Sequence, residues 1–259
     1  MRIAISPCPN DTFLFAALLQ GKVEAPSEYE VDFLDIEQLN HLVAKGESGL
    51  IKMSFAQYFQ VEKQYELLDV GSALGFGCGP LLVGGQDSQL IPQTKVYIPG
   101  YKTTANALLG FLHPGLQNKK ELLFSDILDR LKLESNSLGV LIHETRFTYH
   151  NYGLVCHKDL GKEYEDKTGF PIPLGGLVIS RDHISQKEEW EAALRESLEY
   201  AWRNMEETLD FCSRYAQEMN REVMKSHVDL YVNDFTRDLG EKGHAAIAKL
   251  RELSINCRT

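Results

Sequence analysis

The chain has 259 residues, 43% apolar and 25% charged, with a formal net charge of −10. That balance belongs to a soluble globular protein of one large domain or two lobes, and its acidity argues against a basic face for nucleic acid. No apolar run approaches the ~20 residues of a membrane helix, and Met1 to Pro7 reads as a strand with no secretory leader, so a cytoplasmic protein away from the membrane is expected.

Arg2 to Ile5 predicts a strand and Phe13 to Leu19 a helix ending at Gly21. Between them, Ser6-Pro7-Cys8-Pro9-Asn10-Asp11-Thr12 is stiffened by two prolines, and Asn10, Asp11 or Thr12 can cap the helix. The turn is either a capped βα junction alone or one that also presents Ser6, Asn10 and free helix N–H groups to a ligand. Val31 to Asp35 predicts a second strand, and Ile36 to Lys45 a helix closed by Gly46. Leu50 to Lys52 is a third strand, followed by a turn and a helical stretch through Tyr65. Lys52 and Ser54 stand at that strand's end, where a cation can meet an anion, although a lone lysine is more often surface solvation.

The run Leu74 to Val83 has alternating glycines without the dinucleotide spacing, and Pro80 leads into a strand. It predicts backbone passing close to a neighbour through a tight bend. Lys95 to Ile98 is a strand, and Thr103-Thr104 open a helix from Ala105 to Leu112. One threonine serves as the cap and the other is left for a carboxylate or phosphate. An amphipathic helix follows over Ser125 to Leu133, then an apolar strand from Leu138 that ends in His143. The Pro- and Gly-rich run from Asp166 to Gly176 suits a crossover between lobes, and Leu177 to Ser180 is a strand. From Lys187 onward the pattern is helical. Its apolar stripes are Trp190, Leu194, Leu198 and Trp202; Leu209, Cys212, Tyr215 and Met219; Val223, His227, Leu230 and Tyr231; and Ile247, Leu250 and Leu253. His227 falls on the apolar face and reads as a core histidine.

Cys8, Cys78, Cys156, Cys212 and Cys257 are scattered, with no Cys-x-x-Cys pair, and read as reduced thiols. Zinc spacing fails as well, because His143-Glu144 runs into Thr145-Arg146-Phe147 and Cys156-His157 has no second pair. No nucleotide loop or nucleophile elbow is present, and Cys8 has no basic neighbour. What remains is a convergence of polar strand ends at Ser6, Lys52/Ser54, Thr103/Thr104 and His143. Ligands bind outside such ends in α/β sheets. His143 would be the titrating group, suited to general-base work. Glu144, on the opposite face of a strand, is not expected to orient it. Arg146 either holds a carboxylate or pairs within the fold.

Taken together, Ser6 to Phe13, Asp35 to Asn40, Gly75 to Val83, Ile98-Pro99-Gly100 with Thr103-Thr104, Ile142-His143-Glu144 with Arg146 to Tyr149, Asp159-Leu160-Gly161, Thr168 to Gly176 and His227 to Gly240 resemble the 1,4-dihydroxy-6-naphthoate synthase family of the futalosine route to menaquinone. The resemblance runs nearly end to end. It implies an α/β fold of two lobes, like a type II periplasmic binding protein, with mixed sheets flanked by helices and a helical C-terminal segment. The expected first lobe is 1–96 with 177–259, the second is 97–176, and the active-site cleft lies between them. The implied activity is a carbon–carbon lyase that cleaves cyclic dehypoxanthine futalosine without a metal or organic cofactor. The family's base falls on His143, and its substrate contacts fall on Lys52, Met53, Ser54, Thr103 and Thr104, beside Ser6 and Asn10 from the strand-end reading. The only partner implied is a small carboxylate substrate, and a homodimer stays open. The alternatives are chorismate dehydratase on the same fold, against which the Ile-His-Glu-x-Arg-Phe motif argues, and a non-catalytic small-anion-binding protein.

Overall fold

The computed structural model describes residues 1–216 and 220–256, so the expectations for Met219 and Cys257 lie outside the described residues. The chain begins with β1 (Arg2–Ile5), α1 (Pro9–Leu19), β2 (Glu30–Phe33), α2 (Ile36–Ala44) and β3 (Leu50–Ser54). α3 (Phe55–Val61), β4 (Tyr65–Leu67) and β5 (Ala73–Gly75) complete this first passage. It then crosses into β6 (Leu81–Gly84), β7 (Val96–Ile98), α4 (Thr104–Leu112), β8 (Lys119–Glu121), α5 (Phe124–Leu133) and β9 (Leu138–Leu141). α6 (Thr145–Thr148), β10 (Val155–Asp159) and α7 (Leu160–Thr168) follow, before the chain returns through β11 (Ile172–Ser180). The end is helical: α8 (Lys187–Arg203), α9 (Met205–Cys212), α10 (Arg221–Tyr231), α11 (Asp234–Arg237) and α12 (Gly240–Asn256).

These strands make two mixed sheets. The first runs β2-β1-β3-β11-β4, with β5 paired to β11; the second runs β10-β6-β9-β7-β8. β1 and β3 are parallel, as are β7 and β9, while β11 and β6 enter antiparallel. Parallel neighbours end on the same side, so Ser6 and Ser54 leave one sheet together, and the Thr103 turn and His143 leave the other. The polar ends thus come two from each sheet, where a single parallel sheet would put all four on one edge.

Each sheet is covered on both faces, which is why its strands read as apolar runs. α1, α8, α9 and α10 cover one face of the first sheet around Phe13, Trp190, Leu194 and Leu198, all withdrawn from water. α2, α3 and α12 cover the other around Leu39, Met53, Phe55 and Ile247. The second sheet holds Leu109 and Leu160 on one face and Ile127 and Leu131 on the other.

The expected lobe boundaries are corrected at both crossings. β6 already hydrogen-bonds to β9 and β10 in the second sheet, so the first passage falls between Gly75 and Leu81, not at 96. β11 is one nine-residue strand from Ile172, so the return lies near Phe170 and not at 176. Its glycines are strand residues because neighbours crowd them: a Cβ on Gly175 would stand 2.6 Å from the Met53 carbonyl oxygen, and one on Gly176 2.8 Å from Leu67. α1 also starts earlier than expected, at Pro9, with Cys8 in the cap position and no side-chain cap. The stretch toward Tyr65 is helical only to Val61 and then becomes β4.

The glycine run does pass close to backbone: a Cβ on Gly79 would lie 2.1 Å from Cα of Gly161, and the reciprocal contact is 2.5 Å. Gly79→Ala and Gly161→Ala should each cost about 1–3 kcal/mol as overpacking. Urea unfolding should show the double variant to be non-additive, because the two positions touch.

Candidate active site

α1, α2 and α4 point their N-termini toward one cleft between the lobes. Its unfilled space, open mouth included, is about 610 Å³. Ser6, Asn10, Asp11, Lys52, Ser54, Thr103, Thr104 and His143 line it together with Tyr231 and apolar residues such as Ile36, Pro80, Ile142 and Leu174. Of the residues expected at the site, all but Met53 reach this wall. Met53 lies between Lys52 and Ser54 on β3, and alternation turns it away into the core, where its exposure is 0%.

The floor is a buried ion pair, Lys52 Nζ to Asp11 Oδ1 at 2.8 Å. Lys52 also donates to the carbonyl of Gly71 at 2.8 Å. Asp11 accepts from Ser6 Oγ at 2.6 Å, from the Ser6 N–H at 3.2 Å and from Asn10 Nδ2 at 2.8 Å. A carboxylate only accepts, so the Asn10 amide nitrogen must face Asp11 and its oxygen must face His227, 2.9 Å away. His227 Nε2 is therefore the protonated nitrogen. Ser6 and Asn10 thus build the wall through bonds already made within it.

The two threonines are likewise engaged. Thr103 Oγ1 caps α4, accepting from the Asn106 N–H at 3.2 Å and donating to Gly100 at 2.7 Å. Thr104 Oγ1 accepts from the Ala56 N–H at 3.2 Å and donates to Leu174 at 2.7 Å, joining the lobes. No spare hydroxyl remains, contrary to expectation. What the junction offers a ligand is backbone: the first-turn N–H groups of Thr104 and Ala105, which a helix leaves without an intrahelical partner. Ser54 Oγ accepts from Asn40 Nδ2 at 3.1 Å, which leaves its proton to be donated. Asp11 and Lys52 cancel, so the lining carries no net formal charge and the donors suit one carboxylate better than a doubly charged phosphate.

His143 follows β9 with φ +55°, the left-handed region, and no other non-glycine among the described residues has a positive φ. Such a conformation costs of order 1–3 kcal/mol and clusters at functional sites. The ring lies between Phe124, with centroids 4.9 Å apart, and His227, nearly parallel at 6.2 Å. Burial pushes its pKa down to about 4, with Asp11 opposing and Lys52 adding to the shift. At neutral pH the imidazole is uncharged and free to take a proton.

His227 is fully buried, as expected of a core histidine, but it packs on the site through His143, Asn10 and Tyr231, with the Tyr231 ring 4.5 Å away. Burial first, then His143 and Arg146, hold it well below the usual histidine range. Arg146 stands behind the wall near Tyr231, and its Nη1 is buried without a hydrogen bond among the described residues. Cys78, also on the wall, is held as a neutral thiol because burial raises its pKa to about 12, which removes it as a nucleophile. Cys8, Cys78, Cys156 and Cys212 are free. Asp11, Tyr231 and the His227 contact are the site features that sequence reading missed. Asp11 was legible only as a cap candidate, and α10 gives no sign in sequence of which element it faces.

Two mixed sheets around a polar cleft define a periplasmic-binding-protein-like chain. A Candida albicans protein described as having the generic periplasmic binding protein fold superposes with a TM-score of 0.70 at 12% identity, covering 99% of this chain and 90% of that one. The chain belongs to the family described as menaquinone biosynthesis, whose model matches residues 1–255. A protein of Thermus thermophilus named 1,4-dihydroxy-6-naphtoate synthase is 42% identical over 254 residues, covering 96% of this chain and 92% of its own. One of the same name from Streptomyces coelicolor is 37% identical over 256 residues, covering 96% and 91%. Among the described residues no helix is long and apolar enough to cross a membrane.

Removing Lys52 leaves Asp11 buried and unpaired. Lys52→Met should therefore cost about 3–5 kcal/mol in chemical denaturation. Adding Asp11→Asn should restore part of that loss.

Proposed function

We propose that the protein is a cytoplasmic carbon–carbon lyase that cleaves cyclic dehypoxanthine futalosine to 1,4-dihydroxy-6-naphthoate, with His143 as the general base. The observation that carries this reading is an uncharged imidazole, held in a left-handed turn on the wall of a cleft whose remaining donors suit one carboxylate. Membership of the menaquinone family and the names of two relatives support the pathway and the naphthoate product.

The substrate carboxylate is received by the N–H groups at the start of α4 and by the Ser54 hydroxyl. This acidic chain can supply anion donors only locally. Ile36, Pro80, Ile142 and Leu174 flank the aromatic part. A sugar bearing hydroxyl and carbonyl groups fragments once a base takes a proton, and aromatisation of the naphthoate drives the step. A placed base contributes roughly 10²–10⁴ in rate. The imidazolium so formed is favoured by the nearby Asp11 carboxylate. Closure of the lobes keeps water from the intermediate.

The purified protein should convert cyclic dehypoxanthine futalosine to the naphthoate, followed by absorbance and mass. Folded protein that gives no product would overturn the reading, and dehydration of chorismate instead would move it to the sibling enzyme. His143→Asn should keep substrate affinity and lose about 10²–10⁴ in kcat.

The pH dependence has a definite sign. Protonation removes the base, and burial delays protonation to about pH 4. The acid limb of kcat/KM, which reports the free enzyme, should therefore lie near pH 4. A limb at the ordinary histidine value of about 6.5 would count against His143.

A further inference from the structure

We propose that Glu37 is a positioning residue that clasps the second lobe to the first across the cleft, and that the missing side chain at Gly100 admits it. The proposal rests on the reading of the cleft as a closing active site, although the contact itself does not depend on which substrate enters. Glu37 lies in the first turn of α2, in the first lobe, and is only 5% exposed. Its Oε1 accepts from the Lys102 N–H of the second lobe at 3.0 Å. Its Oε2 accepts from Asn40 Nδ2 at 3.1 Å. Asn40 in turn donates to Ser54 Oγ at 3.1 Å and accepts from the Ser54 N–H at 2.9 Å. One carboxylate thus couples the turn that opens α4 to the hydroxyl on the opposite wall.

Gly100 shows that the fit is specific. A Cβ there would stand 2.4 Å from the Glu37 carboxyl carbon and 2.5 Å from Oε2. A buried carboxylate is costly unless donors meet it, and one of the two donors arrives only with the other lobe. His41 Nε2 lies 3.9 Å from Oε1 and Lys102 Nζ 3.3 Å from His41 Nδ1, and a Glu121 carboxylate oxygen also stands within 4.8 Å of the Glu37 carboxylate. Glu121 on β8 is engaged separately by the Tyr101 N–H at 3.1 Å. Glu37 meets no reacting atom in this scheme. It sets the distance between the Thr104/Ala105 donors and Ser54.

The test compares Glu37→Ala, Glu37→Gln, Gly100→Ala and the Glu37→Ala/Gly100→Ala pair in the full chain. Small-angle scattering of the ligand-free protein should show a larger radius of gyration for Glu37→Ala and for Gly100→Ala. KM for cyclic dehypoxanthine futalosine should rise about tenfold in each, as loss of one charge-assisted bond predicts, with kcat changed far less. Glu37→Gln keeps one acceptor and should fall between. The pair should be no worse than Glu37→Ala alone, since both changes break one contact. Unchanged scattering and KM in Glu37→Ala, or additive losses in the pair, would overturn the clasp. If Glu37→Ala does not fold, Glu37→Gln and Gly100→Ala decide the matter by the same readings. The scattering arm needs no substrate, so failure of the proposed reaction would leave it intact.

Discussion

An ammonium and a carboxylate held together almost out of water, Lys52 against Asp11, organise the interior of this protein. Desolvating two charges is tolerable only where their remaining hydrogen-bonding capacity is met, and the neighbouring polar groups do that. Ser6, Asn10 and the Gly71 carbonyl are fixed by this demand, and through Asn10 so is the tautomer of His227. Because the pair cancels, the carboxylate binding proposed for the cleft falls to peptide dipoles at helix starts, which hold their place more rigidly than a lysine side chain would.

His143 is placed by different means. Its backbone is held in a conformation that favours glycine, and its ring is confined by aromatic neighbours on two sides. Neither restraint is a hydrogen bond, so the nitrogens are not committed to a protein partner by the packing that orients them. In the proposed reaction, a wall whose polar groups are mostly engaged with one another leaves the proton transfer to His143, uncharged at neutral pH.

The sequence made the polar strand ends legible because each stands at the close of an apolar run, and the structure brings all of them to one cleft. It concealed how those side chains are used. Thr104 reads as a spare donor, and only the three-dimensional arrangement reveals that its hydroxyl ties α3 to β11. Met53 follows the motif but not the pleat. The return crossing departs from expectation where composition misleads: Pro173, Gly175 and Gly176 look like a loop, yet they lie in a central strand where close neighbours leave no room for a Cβ on either glycine. Local composition reports turn chemistry faithfully only when the glycine is needed for its dihedral angles; here it is needed for its size.

The second lobe is inserted between β5 and β11, so the chain enters it after Gly75 and leaves it before Ile172 and does not cross again. A body suspended at two points can swing about the line through them, but it cannot slide along its neighbour or rotate freely. For the closure proposed above, two covalent crossings favour a single swinging coordinate, over which a contact far from the axis has the most leverage. Gly79 lies on the entering strand of chain, pressed against Gly161, beside that axis and not out at the rim. There, a change of one methyl group would press the crossing chain against α7 at the point where the second lobe begins.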